Sequence, residues 1–299
     1  MSILTVCLSI FLLLSSCGLE ALSMKWAVSA RQGSRETMED RSTMAYDNKT
    51  GRRFFGVYDG HGGTQAVDFT EQNLHKEIMK APTLKSNVFT RAFIEIDKQI
   101  LDKNYSSGTT AVVAVLDQLT LYLAWAGDSR AVLARNDKVV ISTKDHKPRD
   151  EKEKNRIEKA GCYVDSYDRV TTDYLSLAVS RAIGDYPFKE IGNQYSPKNM
   201  AVIAYPDVTT IKLRGNESFL ILASDGFWDK FTNEEAITLA IKFASNNQDF
   251  TKDSSDKKMS NERGNCNSMK MIARALRDAA YNNGSSDNIT VLIIKFEWN

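Results

Sequence analysis

Three observations predict an α+β fold for this chain. Short β-rich runs follow one another at tight spacing, amphipathic segments of helical period come in pairs, and regular strand-helix-strand alternation is missing. The run Phe54-Phe55-Gly56-Val57-Tyr58 reads as a strand and stops at Asp59-Gly60-His61-Gly62-Gly63, where glycines let backbone approach a ligand closely. Residues 64–80 carry Ala66, Val67, Phe69, Leu74 and Ile78 at helical spacing, and residues 88–101 repeat the period with Phe89, Phe93, Ile96 and Ile100. These two helices are expected to pack on one face of a sheet.

Strands are then expected at 109–116, 119–126, 130–134 and 138–142, separated by turn signals such as Gly127-Asp128-Ser129, which favours antiparallel meanders. The charged stretch 150–159 predicts a solvated helix ending at Gly161. An irregular segment carries Arg181 to Asp185, and strands resume at 208–213, 219–224 and 289–296. Asn233 is expected to cap a helix over 234–244, and a further helix is expected over 269–281. Residues 245–268 are polar and poor in apolar side chains, so a disordered surface loop is expected there. No repeat or proline-rich linker divides the chain, and a single domain is expected over 24–299.

The first 23 residues differ from the rest. Residues 3–14 are nearly all apolar and are followed by small residues, which fits a secretory signal ending near Ala21 to Ser23, although no Lys or Arg precedes the apolar run. Removal of this leader would send the protein to the secretory route or an endomembrane compartment, and retention would anchor it to a membrane. A start at Met24 would leave it cytoplasmic or nuclear. Of four cysteines, Cys7 and Cys17 lie in the leader, so Cys162 and Cys266 could form at most one bridge. Sequons begin at Asn48, Asn104, Asn216, Asn283 and Asn288.

With 42% hydrophobic and 26% charged residues the chain can bury a substantial core, and its net charge of +1 gives no long-range pull on nucleic acid or anionic lipid. Charge must act locally, and the acids are placed to do so. Asp59 ends a strand, Asp128 sits between two, Asp225 follows the apolar run Phe219 to Ala223, and Asp287 precedes the last strand. Glu39 and Asp40 follow Arg35 in Arg35-Glu36-Thr37-Met38-Glu39-Asp40. A lone carboxylate at a buried strand end is costly unless it finds a cation. Several converging would make an all-oxygen site suited to magnesium or manganese rather than zinc.

These residues carry a family resemblance. Arg35-x-x-Met38-Glu39-Asp40, Tyr58-Asp59-Gly60-His61-Gly62-Gly63, Ser107-Gly108-Thr109-Thr110-Ala111, Gly127-Asp128-Ser129-Arg130, Asp145-His146-Lys147-Pro148, Ala178-Val179-Ser180-Arg181-Ala182-x-Gly184-Asp185, Asp225-Gly226-Phe227-Trp228-Asp229 and Asp287-Asn288 occur in the order of the metal-dependent protein serine/threonine phosphatases of the PPM, or protein phosphatase 2C, group. The chain resembles that family from about Trp26 to Phe296. The resemblance implies two antiparallel β-sheets forming a central sandwich flanked by helices on both outer faces, with a flap near 145–200. It departs at Cys162, where a second glycine is usual after Ala160-Gly161, and in a longer lead over 171–176, both in the flap. The flap also lacks the tryptophan of the plant hormone co-receptor members.

By the same resemblance Asp59 bridges two Mg2+ or Mn2+ ions, the Gly60 carbonyl completes the second site, and Asp225 and Asp287 hold the first. Glu39 and Asp40 act on the second ion through water, and Asp128 with Asp225 holds a third, weaker ion. Two divalent ions about 4 Å apart make hydroxide available near neutral pH, which attacks phosphorus in line. Arg35 would grip the phosphate with its forked guanidinium, and His61 would protonate the departing serine or threonine oxygen. The expected partners are phosphorylated proteins, not nucleic acid, and a monomer is expected.

Rival chemistries fare worse. A cysteine-dependent phosphatase needs arginine six positions after its cysteine, whereas Asp168 holds that place after Cys162 and Arg169 is one too far. No Gly-x-x-x-x-Gly-Lys loop exists for a P-loop ATPase. A two-metal phosphodiesterase lacks its basic stripe, and an inactive phosphatase-fold scaffold should have lost at least one of Asp59, Asp225 and Asp287.

Overall fold

The computed structural model describes residues 22–189, 196, 198–249 and 263–298. Two five-stranded antiparallel sheets stack on each other. One runs β1 (Leu22–Arg31), β16 (Ile289–Trp298), β15 (Glu217–Ala223), β8 (Arg130–Arg135) and β9 (Lys138–Ser142), and the other β14 (Asp207–Lys212), β7 (Thr120–Ala126), β6 (Ala111–Asp117), β3 (Arg53–Tyr58) and β2 (Arg41–Tyr46). Helices α1 (Gln65–Met79) and α2 (Ser86–Leu101) cover the second sheet, and α6 (Asn233–Asp249) and α7 (Arg263–Asn282) cover the first.

Side-chain alternation explains why the central strands read as unbroken apolar runs. In β6, Ala111, Val113 and Val115 face the α1–α2 layer while Val112, Ala114 and Leu116 face the other sheet. In β16, Ile289, Val291 and Ile293 face α6 and α7 while Leu292, Ile294 and Phe296 fill the space between sheets. Both strand faces are covered, so their buried positions are almost all apolar, with Thr290 near the start of β16 the polar exception. At about 25 cal/mol per Å² of apolar surface removed from water, these three stacked cores supply the main driving force for folding.

Smaller elements shape one end of the sandwich. A three-stranded sheet joins β4 (Gly60–His61), β5 (Gly108–Thr109) and β13 (Ile183–Gly184), and a second makes the flap from β10 (Tyr163–Val164), β11 (Val170–Thr171) and β12 (Ser176–Leu177). Helix α3 (Glu151–Lys159) leads into the flap, α4 (Tyr186–Lys189) follows β13, and α5 (Asp225–Trp228) follows β15.

The structure corrects several expectations. Helices α6 and α7 extend into the polar interval expected to be a loop, to Asp249 and from Arg263, while residues 250–262 lie outside the described ones. Asn233 is the first residue of α6 and not its cap. Thr232 Oγ1 accepts from the Glu235 N–H at 3.2 Å and Glu235 Oε2 accepts from the Thr232 N–H at 2.8 Å, a reciprocal capping box. The one bridge left open does not form at Cys162, which is a free, buried thiol. Of the expected leader only Leu22 and Ser23 are described, and they open β1 opposite Trp298 and Glu297. No described helix is long and apolar enough to cross a membrane.

Candidate metal centre

Strand ends bring the acids together. β3 ends just before Asp59, β7 just before Gly127 and Asp128, and β15 one residue before Ser224 and Asp225; β2 starts just after Asp40 and β16 just after Asn288. The pairings Arg41 with Tyr58, Ala111 with Ala126, Ala223 with Val291 and Arg31 with Ile289 put all these ends at one edge of the sandwich. A cavity of about 270 Å³ opens there, lined by Asp59, Asp128, Asp225, Asp287, Glu39 and Gly60, with Arg35 and His61 also on its wall. Asp40, 3% exposed, sits behind it.

Each acid has a local support. Thr110 Oγ1 accepts from the Asp59 N–H at 3.3 Å and pairs with Ser129 Oγ at 2.7 Å. Ser224 Oγ donates to Asp40 Oδ2 at 2.8 Å and accepts from the Thr290 N–H at 3.0 Å, so one hydroxyl ties the β2, β15 and β16 ends together. The Asn288 N–H donates to Asp287 Oδ1 at 2.7 Å. Asn288 itself is buried: its amide donates to Gln32 O and Thr37 O and its Oδ1 accepts from the Glu39 N–H at 2.7 Å. That sequon therefore offers no room for a glycan. Gly60 is required by the close approach of the Glu39 carbonyl, which would lie 2.6 Å from an added Cβ.

The electrostatics call for cations. Burial first, then the charges of Asp225, Asp40 and Asp128, hold Asp59 well above the usual carboxylate range. Burial followed by Asp128, Asp229 and Asp287 pushes Asp225 up to about 7, and burial pushes Asp40 up to about 6. Asp40 Oδ1 is buried with no hydrogen-bond partner. Among the described residues no three such side chains are drawn tightly enough to ligate one ion. Instead, the Asp225 charge adds to burial in raising the Asp59 pKa, and Asp287 is turned to Arg35. Crowded carboxylates that repel one another, or lean on a nearby cation, fit a site whose charge divalent cations would balance. Lys147 Nζ, 2.6 Å from Asp128 Oδ2, is a local cation that the sequence reading did not assign.

Sequence reasoning also missed Asp185. It pairs with His61 through both carboxylate oxygens at 2.8 and 2.9 Å, across 124 positions. Burial pulls the His61 pKa down, but the Asp185 charge and hydrogen bond outweigh it and the net direction is upward. The only signal in the sequence was the pair Gly184-Asp185 inside the longer motif.

The profile of the Protein phosphatase 2C family matches residues 24–289. The chain is 34% identical over 280 residues to "Probable protein phosphatase 2C 2" of Arabidopsis thaliana, covering 90% of this chain and 67% of that protein. It is 37% identical to "Protein phosphatase 2C homolog 2" of Hypocrea jecorina, covering 91% and 62%, and 31% identical to "Probable protein phosphatase 2C 6" of Paramecium tetraurelia, covering 92% and 93%. It thus spans about two thirds of the first two relatives and nearly all of the third. A phosphatase from a pathogenic strain of Toxoplasma gondii shares the fold with a TM-score of 0.76 at 23% identity, covering 92% of this chain and 94% of that one.

Proposed function

Because the chain belongs to the protein phosphatase 2C family, we propose that it removes phosphate from phosphoserine and phosphothreonine in proteins, using magnesium or manganese. The observation that carries this reading is the meeting of Asp59, Asp225 and Asp287 in one cavity with Arg35 and His61. Divalent ions bound there supply a hydroxide from water near neutral pH.

Asp59, the Gly60 carbonyl, Asp225 and Asp287 would hold two such ions, with Glu39 and Asp40 acting through water and Asp128 joining Asp225 at a third. Asp40, with an unpartnered buried oxygen, is well placed to order such a water. Arg35, its side chain 62% exposed, is free to turn its forked guanidinium to the substrate phosphate. His61 supplies the proton that a serine or threonine oxygen needs to leave. The Thr110–Ser129 and Ser224 hydroxyl networks keep the carboxylates from drifting.

The direct test is a chelation assay on the full chain with a phosphoserine peptide. Turnover should vanish with chelator and return with Mg2+ or Mn2+; turnover indifferent to chelator would refute the reading. The cellular address stays tied to the leader: a secretory or endomembrane location follows if the first 23 residues are removed, which N-terminal sequencing of the native protein reads.

A further inference from the structure

The His61–Asp185 pair is built at some cost. Asp185 is a non-glycine residue at φ +57, and its side chain is only 4% exposed. A left-handed backbone is disfavoured for any residue with a Cβ, and an idle buried carboxylate costs further. The surroundings hold it in place. Gly184 precedes it at φ +90, the Asp185 N–H donates to Ser107 O at 3.0 Å, and an added Cβ on Gly108 would lie 2.2 Å from Asp185 Oδ2. Behind it, Asp97 accepts from the Gly184 N–H at 2.8 Å and pairs with buried Lys189, which ties this segment to α2. Strand β5 bridges the two partners, with Gly108 opposite both His61 and Gly184.

Both Asp185 oxygens lie on the same imidazole nitrogen, Nε2, which must therefore carry a hydrogen. The other nitrogen, Nδ1, has no partner among the described residues, and the His61 side chain keeps 27% of its surface at the cavity. We propose that Asp185 is a positioning residue for His61: it fixes the Nε2–H form and so makes Nδ1 the atom that delivers the proton to the departing oxygen. This rests on the phosphatase reading above. In the step, hydroxide oxygen bonds to phosphorus and the phosphorus–seryl oxygen bond breaks with its electron pair on the seryl oxygen. That oxygen takes the proton from Nδ1, and His61 is left neutral with its Nε2–H on Asp185. Solvent then reprotonates Nδ1.

Asp185→Asn is the informative variant, because asparagine also accepts a left-handed backbone and keeps the shape. In the full chain with Mn2+, kcat/KM should fall about 30-fold or more further on a phosphoserine peptide than on an aryl phosphate, whose phenolate leaves unaided. Added to His61→Ala, the substitution should cost little more. Histidine 15N resonances should place the His61 proton on Nε2 in the parent and redistribute it in the variant. Equal losses on both substrates, full additivity with His61→Ala, or a parent protonated on Nδ1 alone would overturn the assignment. Absence of metal-dependent turnover in the parent would instead sink the phosphatase reading, while the resonances would still judge the pairing.

Discussion

Arg35 Nη2 donates to Asp287 Oδ2 at 2.6 Å, joining groups 252 positions apart. The arginine expected to hold phosphate thus rests on a carboxylate expected to hold a cation. The pair is largely exposed, so it is worth little on its own and yields readily to a better-charged partner. Arg35→Lys keeps the charge and loses the fork. KM for a phosphopeptide should rise about tenfold with a smaller change in kcat, measured by steady-state kinetics. An unchanged KM would remove Arg35 from the phosphate site.

Lys147 is expected to compete with the weakest divalent ion for Asp128. Burial works against the lysine charge, but Asp128 beside it outweighs this, and Lys147 stays charged with a raised pKa. Lys147→Met frees the carboxylate. Calorimetric titration with Mn2+ should show the weakest site tightened about threefold or more. Unchanged affinity would mean that Asp128 does not take part in that site.

Glu153 governs acid stability away from the cavity. Burial alone would raise its pKa, but the hydrogen bond from Arg181 and the charges of Arg156 and Arg181 bring it from 4.5 to about 2. A carboxyl lowered on folding stabilises fully above its unfolded value and loses that contribution as pH falls through the folded one. The lost interval lies between 4.5 and about 2. Glu153→Gln should cost about 3 kcal/mol at pH 7 and flatten the acid limb in that window, read by urea midpoints at pH 7 and pH 3. An unchanged acid limb would contradict this.

Gly33 holds the Asp287 turn. It sits at φ +66, and an added Cβ would lie 2.1 Å from the Asp287 carbonyl oxygen. Gly33→Ala should reduce metal-dependent turnover about tenfold or more by displacing that turn, whereas Gly51→Ala, at φ +73 with open space around it, should cost only about 1 kcal/mol of stability. Equal activity in the two variants would show that the turn tolerates movement.

Sequence made most of the sandwich legible because strands covered on both faces are almost wholly apolar where buried, as in β6 and β16. It hid β2, whose residues are half-buried or exposed at a sheet edge, and the two-residue strands of the flap, which are too short for any period to emerge. The acids were legible because each adjoins a strand end. Lys147 and Asp185 were not assigned because their roles come from partners 19 and 124 positions away. The Thr232 cap was missed in favour of its neighbour Asn233, though Glu235 three positions on was the available signal.

Divalent-ion dependence of Asp59→Asn tests the account most directly. With Mn2+ binding followed by calorimetry and turnover followed on a phosphoserine peptide, the parent should bind and turn over, while the variant should lose about 100-fold or more of its turnover together with tight ion binding. A variant within a few-fold of the parent on both measures would contradict the claim that these strand-end carboxylates form the catalytic metal centre.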